Sequence, residues 1–460
     1  MKGGERTLND NNLGFLIANL PEDVEKLVDS GEFEKANKLI DIYLQRNISG
    51  ALKERLNFER YRMEILKKEY IYDFEMALKM LQEQIKDFEV EELERLKEER
   101  YADWININGK VMFHKRFLEN IPKTHPSMKE RLINKPQENE EARKLQESII
   151  KEIIEKGEKS YFIHLKTGIK FKKGKGRLNE TVRVHLPIPQ KARQIKNIKI
   201  LNTSHIPKFI SPETYPQRTI YFEEKLKEEE SFTVEYSYEN HVKYIDLDYN
   251  KVLDRQPNFY TSEWPPQIVF TPFLKDLARE IVKDEKNQLK KARKIYDYIT
   301  QNVIYSYVRP YVSIINIPEY AAYNLKGDCG VQALLFITLC RIVGIPAKWQ
   351  SGLYVDPYSI SPHDWAQFYV EPFGWCFADL SFGGSSLRKQ NEERWNFYFG
   401  NLDPFRMVAN SEFHYNFYPP KHFLRLDPYD NQIGEAEYFD KAIDRDDFEI
   451  IMEKIEIREI

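Results

Sequence analysis

Cysteine is scarce in this sequence, which holds three such residues among 460: Cys329, Cys340 and Cys376. This scarcity excludes a disulfide-rich scaffold and is typical of proteins from a reducing compartment. Cys329 and Cys340 fall on one predicted helix, where a separation of eleven residues corresponds to about 16 Å, beyond the reach of a disulfide. No Cys-x-x-Cys or His-x-x-x-His pair lies near them, so we expect no metal site.

An excess of charge of one sign is also absent. Lys and Arg number 69 and Asp and Glu number 73, and the resulting net charge of -4 predicts no nucleic-acid partner. No uninterrupted apolar run could span a bilayer, so we expect no membrane contact. Residues 1–15 lack the apolar segment of a secretion signal, which makes the cytoplasm the expected location. At 460 residues the chain should form two or three domains.

Residues 1–156 are predicted to form a helical N-terminal region. Pro21 begins a first helix and Gly31 ends it, while the apolar residues of 33–44 form the buried stripe of a second helix. Short antiparallel helices of this kind resemble a helical repeat, but no fixed period persists. We expect a bundle that packs on its neighbour, with a partner-binding surface as the alternative.

Residues 157–250 change to a period of two, because apolar and polar side chains alternate through 181–186 and 232–239. Alternating strands separated by turn residues predict an antiparallel β-sandwich with one face in water. His185 falls on the polar phase of its strand and is therefore predicted to lie at the surface.

A helix that is apolar on nearly every side is predicted over 329–343, and such a helix is buried all round. Asp328 stands at its N-cap position and Gly344 at its C-terminal end. Cys329 therefore lies in the first turn, where unpaired amide groups and the positive end of the helix dipole favour the thiolate. Cys340 has no polar neighbours and is interpreted as core packing.

Two strand-like runs surround the Pro/Gly turn at 371–374 and predict an antiparallel hairpin. His363 lies on the first strand and Asp379 on the second. In an antiparallel hairpin, the sequence numbers of any two directly facing residues add up to the same value. The side chains of His363 and Asp379 lie on one face only if this value is even. An even value requires an odd number of residues in the loop, or a bulge. A three-residue loop, for example 372–374, would therefore allow the two side chains to meet.

The stretches GDCGVQALLFITLCRIVGIPAKWQSG and HDWAQFYVEPFGWCFADLS resemble the transglutaminase-like superfamily of papain-fold thiol enzymes, over about residues 275–385. The family pattern has Gly-x-Cys at the start of a central helix, Arg and then Gly-Ile-Pro-Ala at its end, a His-x-Trp strand, and Gly-Trp before an Asp. The resemblance implies that Cys329 is the nucleophile, His363 the general base and Asp379 the partner that orients the base.

By the same resemblance, the thiolate would attack an amide carbonyl of a peptide or protein substrate and form a thioester acyl-enzyme, without a cofactor. Hydrolysis is slightly favoured over amine transfer. The alternatives are a non-catalytic module that binds peptides or glycans, and an acyltransferase with a small thioester donor such as acetyl-CoA. Gln367 stands where many members carry Glu, and Leu380-Ser381 replaces the usual Pro-Thr, so the substrate class stays open.

The remaining parts of the site are less well specified. The backbone N–H of Cys329 is expected to form half of an oxyanion hole, and three residues are candidates for the other half: Asn324, Tyr305 and Tyr307. Arg406 is expected either to border the substrate cleft or to pair with Asp403.

The chain as a whole is predicted to be α+β. The predicted order is a helical region at 1–156, a β-sandwich at 157–250, and a papain-like transglutaminase core with a C-terminal extension at 251–460.

Overall fold

The computed structural model describes residues 10–135 and 139–460. The first nine residues, which carry part of the argument about a secretion signal, lie outside the described residues. In the described parts of the chain, no helix is both long and apolar enough to cross a membrane.

The N-terminal region is mainly helical, as predicted. The helix that follows Pro21 ends before Gly31, which adopts a φ of +77°. A small antiparallel sheet of three strands, which the sequence analysis missed, interrupts the helices. The elements are a 3-10 helix (Asp10–Ile17), α1 (Glu22–Asp29), α2 (Phe33–Leu44), α3 (Gly50–Glu69), β1 (Tyr70–Tyr72), α4 (Phe74–Gln84), α5 (Val90–Glu98), β2 (Trp104–Ile107), β3 (Lys110–His114), α6 (Phe117–Thr124), α7 (Pro126–Glu130) and α8 (Glu140–Lys156).

The β-sandwich begins directly after α8. Two of its strands alternate over most of their length between buried and partly exposed residues, as the period of two predicts, whereas the strand at 181–187 is buried on both faces. They are β4 (Glu158–Phe171), β5 (Thr181–Pro187), β6 (Ile195–Thr203), β7 (Phe209–Ile210), β8 (Thr219–Lys225) and β9 (Ser231–Lys243).

The rest of the chain surrounds one fully buried helix, α12. Its elements are a 3-10 helix (Tyr249–Lys251), α9 (Pro272–Val282), α10 (Gln288–Asn302), β10 (Ile304–Tyr305), a 3-10 helix (Tyr311–Ser313), α11 (Ile317–Asn324), β11 (Lys326–Gly327), α12 (Cys329–Ile342), β12 (Ala347–Val355), β13 (Ile360–Val370), β14 (Gly374–Ala378), α13 (Leu380–Arg388), α14 (Glu392–Phe397), β15 (Phe399–Gly400), β16 (Arg406–Asn410), β17 (Glu435–Glu437), a 3-10 helix (Arg445–Asp447) and β18 (Phe448–Glu459).

The C-terminal strands complete the sandwich rather than extend the core. β17 pairs with β5 and β18 pairs with β4, so the two sandwich sheets have the orders β17-β5-β8-β7 and β18-β4-β9-β6. The predicted boundaries of 157–250 and 251–460 thus place these two strands in the wrong unit. Strand pairing between segments so far apart in sequence leaves no local signal.

The same arrangement corrects the prediction for His185. This residue is 2% exposed instead of lying at the surface. Its ring packs on Tyr221 and Phe417, and its Nδ1 lies 3.1 Å from the Thr219 hydroxyl. The second face of β5 is covered by residues that follow the core in sequence, which the alternating pattern could not reveal.

A five-stranded antiparallel sheet of order β15-β14-β13-β12-β16 separates two hydrophobic cores. Ala366 and Phe368 of β13 pack in the core that contains α12, and the Phe368 ring meets Phe336 of that helix at 5.8 Å. Trp365 packs in the other core, with the sandwich. The position of a side chain along β13 therefore decides which core it faces.

Candidate active site

Cys329 is the first residue of α12, as predicted. The Asp328 side chain caps the helix, because its Oδ1 accepts a hydrogen bond from the Val331 N–H at 3.1 Å. The Tyr311 hydroxyl donates to the same oxygen at 2.6 Å and fixes the cap. Cys329 is 9% exposed, so the thiol sits just beneath the surface at the end of the helix.

His363 and Asp379 also meet as the register argument required. Val370 pairs with Gly374, which leaves a three-residue loop at 371–373, and the two side chains fall on one face of the hairpin. Asp379 Oδ2 lies 2.8 Å from His363 Nε2.

Arg406 contacts the same oxygen of Asp379 that lies against His363. It donates from Nη1 to Asp379 Oδ2 and from Nη2 to Asp403 Oδ2, at 2.7 Å in both cases. Arg406 is fully buried, so the prediction that it pairs with Asp403 is confirmed and the prediction that it borders a cleft is wrong. Burial alone would raise the pKa of Asp379, but its contacts with His363 and Arg406 outweigh burial and lower that pKa, so the carboxylate stays ionised.

The described conformation does not bring the predicted triad together. The Cys329 sulfur donates a hydrogen bond to Asp364 Oδ2 at 3.2 Å, and within the described ranges no hydrogen bond joins it to His363. His363 and Asp364 are consecutive residues of β13, so their side chains point to opposite faces of the sheet. The His363 ring lies in the second core, against Trp365 and Phe382.

Asp364 belongs to a buried polar cluster that the sequence analysis missed. Its Oδ1 accepts a hydrogen bond from Gln432 Nε2 at 2.6 Å, and Asp430 lies beside it. Asp430 Oδ1 in turn accepts hydrogen bonds from the Ser351 hydroxyl at 2.5 Å and from Asn410 Nδ2 at 2.7 Å. Burial raises the pKa of both carboxyl groups, and the charge of Asp430 raises that of Asp364 further.

This cluster reverses the expectation that the start of the helix favours a thiolate. Burial raises the pKa of the Cys329 thiol well above its ordinary value, and the negative charges of Asp364 and Asp328 raise it further. The effect of the helix dipole amounts to no more than about 2 kcal/mol, which burial beside two carboxyl groups outweighs. The thiol in this conformation is therefore protonated.

The three candidates for the second oxyanion donor lie in different surroundings. Tyr305 pairs with Gly327 across β10 and β11, two residues before Cys329, and its pKa is raised by burial and then by the charge of Cys329. Asn324 and Tyr307 line a cavity on the side of the N-terminal region. Of the three, Tyr305 is therefore the one positioned near the thiol. Across the described residues, no cluster of His, Cys, Asp and Glu has the arrangement needed to hold a metal ion.

The buried Cys-first helix packed on an antiparallel sheet is the architecture of a papain-type thiol enzyme. Residues 275–380 match the sequence profile described as the Transglutaminase-like superfamily, so the chain contains a transglutaminase-like domain there. No curated protein matches the chain.

Several solved structures are similar to parts of this chain. A proposed cysteine protease from Cytophaga hutchinsonii is 16% identical, covers 65% of this chain and 91% of its own, and has a TM-score of 0.41. The periplasmic domain of TgpA from Pseudomonas aeruginosa is 11% identical, covers 54% and 95%, and has a TM-score of 0.28. A proposed protease from Parabacteroides distasonis is 11% identical, covers 47% and 46%, and has a TM-score of 0.22.

Proposed function

We propose that the transglutaminase-like domain is a cysteine-dependent enzyme that acts on amide bonds of peptides or proteins, with Cys329 as its nucleophile. The observation that carries this proposal is the position of Cys329 as the first residue of α12, within the matched range 275–380. A thiolate there would attack the amide carbonyl, expel the protonated amine and leave a thioester that water cleaves. Unpaired backbone N–H groups at the helix start would stabilise the oxyanion.

The His363–Asp379 pair supports the role of general base. The ionised Asp379 holds Nε2 of the imidazole, which leaves Nδ1 to accept a proton. In the described conformation the sulfur faces Asp364, so catalysis requires Cys329 to exchange Asp364 for His363. Because the two partners lie on opposite faces of β13, this exchange needs a displacement of the strand relative to α12 and not only a rotation of a side chain.

We favour hydrolysis over amine transfer, because the sequence displays no device that would restrain cross-linking inside a cell. A second candidate is a non-catalytic module that binds peptides on the same fold. The separation of Cys329 from His363 supports it, since a protonated thiol without an imidazole in contact has no base to activate it.

Turnover of a panel of acetyl-peptide p-nitroanilides by the full chain tests the proposal. We expect p-nitroaniline release and, after acid quenching, an acyl adduct on Cys329 in the intact mass. Cys329→Ala should lower turnover by at least about 10³-fold. Cys340→Ala is the matched control, because Cys340 is a buried cysteine of the same helix and should leave turnover unchanged. Absence of both turnover and adduct in the unsubstituted chain would leave the binding module as the function.

A further inference from the structure

The segment 304–307 lies between the N-terminal region and the start of α12. One edge of this segment pairs with β11, where the Ser306 N–H donates to the Gly327 carbonyl at 3.2 Å. Gly327 lies two residues before Cys329. Successive residues of an extended chain present their backbone N–H and C=O groups to opposite edges, so those of Tyr307 point away from β11. Their partner must come from another part of the chain.

Asn120 of α6, in the N-terminal region, supplies that partner. Its Nδ2 donates to the Tyr307 carbonyl and its Oδ1 accepts the Tyr307 N–H, at 2.8 Å in both cases. One carboxamide thus satisfies both backbone groups of Tyr307, as a neighbouring strand would. Asn120 is 4% exposed, so these groups would stay buried and unpaired without it, which is costly.

The side chain of Tyr307 is held by the same helix. Arg116 is the N-cap residue of α6, and its guanidinium lies 3.2 Å from the centre of the Tyr307 ring. Glu119 fixes this guanidinium, because it accepts from Nε at 2.8 Å and from Nη2 at 2.7 Å. A cation within about 6 Å of a ring centre is attracted to the ring, so α6 fixes the ring of Tyr307 as well as its backbone.

Tyr307 in turn contacts Tyr305. The two rings meet edge to face, with their centres 5.9 Å apart. Tyr305 is the last residue of β10 and pairs with Gly327 of β11. A continuous set of contacts therefore runs from α6 through Tyr307 and Tyr305 to the residues that precede Cys329.

We propose that the N-terminal region positions the thiol site through α6, and that Asn120 is the positioning residue that sets the place of Tyr305 beside the start of α12. The inference rests on the proposed function, because Tyr305 is the candidate for the second hydrogen bond to the oxyanion of a substrate at Cys329. Asn120 acts through Tyr307 and touches no substrate. The N-terminal region is then a working part of the enzyme and not only a neighbour on which the domain packs.

Fluorine NMR of the full chain, with a fluorine atom at position 3 of the Tyr305 ring, tests the positioning directly. Asn120→Leu removes both hydrogen bonds at similar volume, and we expect the Tyr305 resonance to move by more than its linewidth. Asn120→Asp is the conservative variant, since a protonated carboxyl both accepts and donates, whereas an ionised carboxylate only accepts. Its Tyr305 resonance should match that of the unsubstituted chain at low pH and move as the carboxyl loses its proton.

Asn287→Asp is the matched control, because Asn287 also pairs with two backbone groups. Its Oδ1 accepts the Lys290 N–H at 3.1 Å and its Nδ2 donates to the Tyr249 carbonyl at 2.8 Å. Asn287 caps α10 and makes these contacts outside the segment 304–307. Its variant should therefore leave the Tyr305 resonance in place at every pH. Circular dichroism checks that each variant folds; if Asn120→Leu does not fold, the pH response of Asn120→Asp decides the test.

Turnover of the p-nitroanilide panel separates this proposal from the proposed function. A displaced oxyanion donor lowers kcat by roughly tenfold to a hundredfold and leaves KM nearly unchanged, which is the result we expect for Asn120→Leu. A Tyr305 resonance that stays in place in Asn120→Leu, one that ignores pH in Asn120→Asp, or an unchanged kcat would overturn the positioning role. A resonance that moves while the unsubstituted chain shows neither turnover nor an acyl adduct would support the placement of Tyr305 by α6 and end the proposed function.

Discussion

His363 and Asp364 are adjacent in β13 but contact different halves of the molecule. The first lies 2.8 Å from Asp379 in the core shared with the sandwich, and the second accepts the Cys329 thiol at 3.2 Å on the side of α12. The sheet thus stands between the nucleophile and the base that the family pattern assigns to it. In the conformation described, the thiol is protonated. Asp379 orients the imidazole of His363, which makes no hydrogen bond to the thiol.

The stability of the protein should depend on pH through Asp364. Because its pKa is raised in the folded state, the folded chain binds this proton more tightly than the unfolded chain. The associated stability is complete below the unfolded pKa of about 3.9 and is lost as pH rises through the raised folded value. Asp364→Asn should therefore gain stability relative to the unsubstituted chain between pH 5 and pH 8.

Urea unfolding midpoints of Asp364→Asn and of the unsubstituted chain, at pH 5 and at pH 8, measure this difference in stability. Asp356→Asn is the control for the same change in the turn that follows β12, where Asp356 Oδ1 accepts the Tyr358 N–H. An Asp364→Asn difference that is the same at pH 5 and pH 8 would show that the carboxyl is ionised in the folded protein.

Arg406 should be essential for folding. Arg406→Met leaves the buried carboxylates of Asp379 and Asp403 without their cation and should cost about 3–5 kcal/mol of unfolding free energy. Arg279→Met removes an exposed pair with Asp276 and should change stability by less than about 0.5 kcal/mol. Equal effects of the two substitutions in urea titrations would contradict the burial of the Arg406 network.

Gly330 should tolerate no side chain. A Cβ at this position would lie 2.2 Å from the Tyr311 hydroxyl and 2.7 Å from Asp364 Oδ2, so Gly330→Ala should cost about 1–3 kcal/mol. The matched control is Gly50→Ala at the start of α3, where no atom lies within 4 Å of the added methyl group; it should be neutral or stabilising. Thermal unfolding of both variants checks this contrast.

Much of this architecture was predictable from local sequence. The apolar run of α12, its Asp328 cap and the parity of the hairpin identified the positions of Cys329, His363 and Asp379. The family motif added roles to these residues. The β-sandwich followed from a period of two that only β-strands produce.

The alternation of apolar residues along β13 predicts a different neighbour for Cys329 from the one that the family motif implies. Ala366, Phe368 and Val370 are apolar and of the same phase as Asp364, so an apolar helix packed on that face would lie next to Asp364 and not His363. The contacts of Asp430 and Gln432 with Asp364 could not be predicted, because these two residues belong to a segment far along the chain. The return of β17 and β18 to the sandwich was hidden for the same reason.

The alkylation of Cys329 by iodoacetamide, followed by intact mass across pH, tests the central claim most directly. In the conformation described, Cys329 should react only above the pH of an ordinary thiol, whose pKa is about 8.5. Asp364→Asn should move its profile to lower pH, because it removes a carboxyl group whose ionisation at high pH opposes that of the thiol, whereas His363→Ala should leave the profile where it is. A Cys329 that already reacts below that pH, with His363→Ala moving its profile upward and Asp364→Asn without effect, would show instead that sulfur and imidazole are in contact.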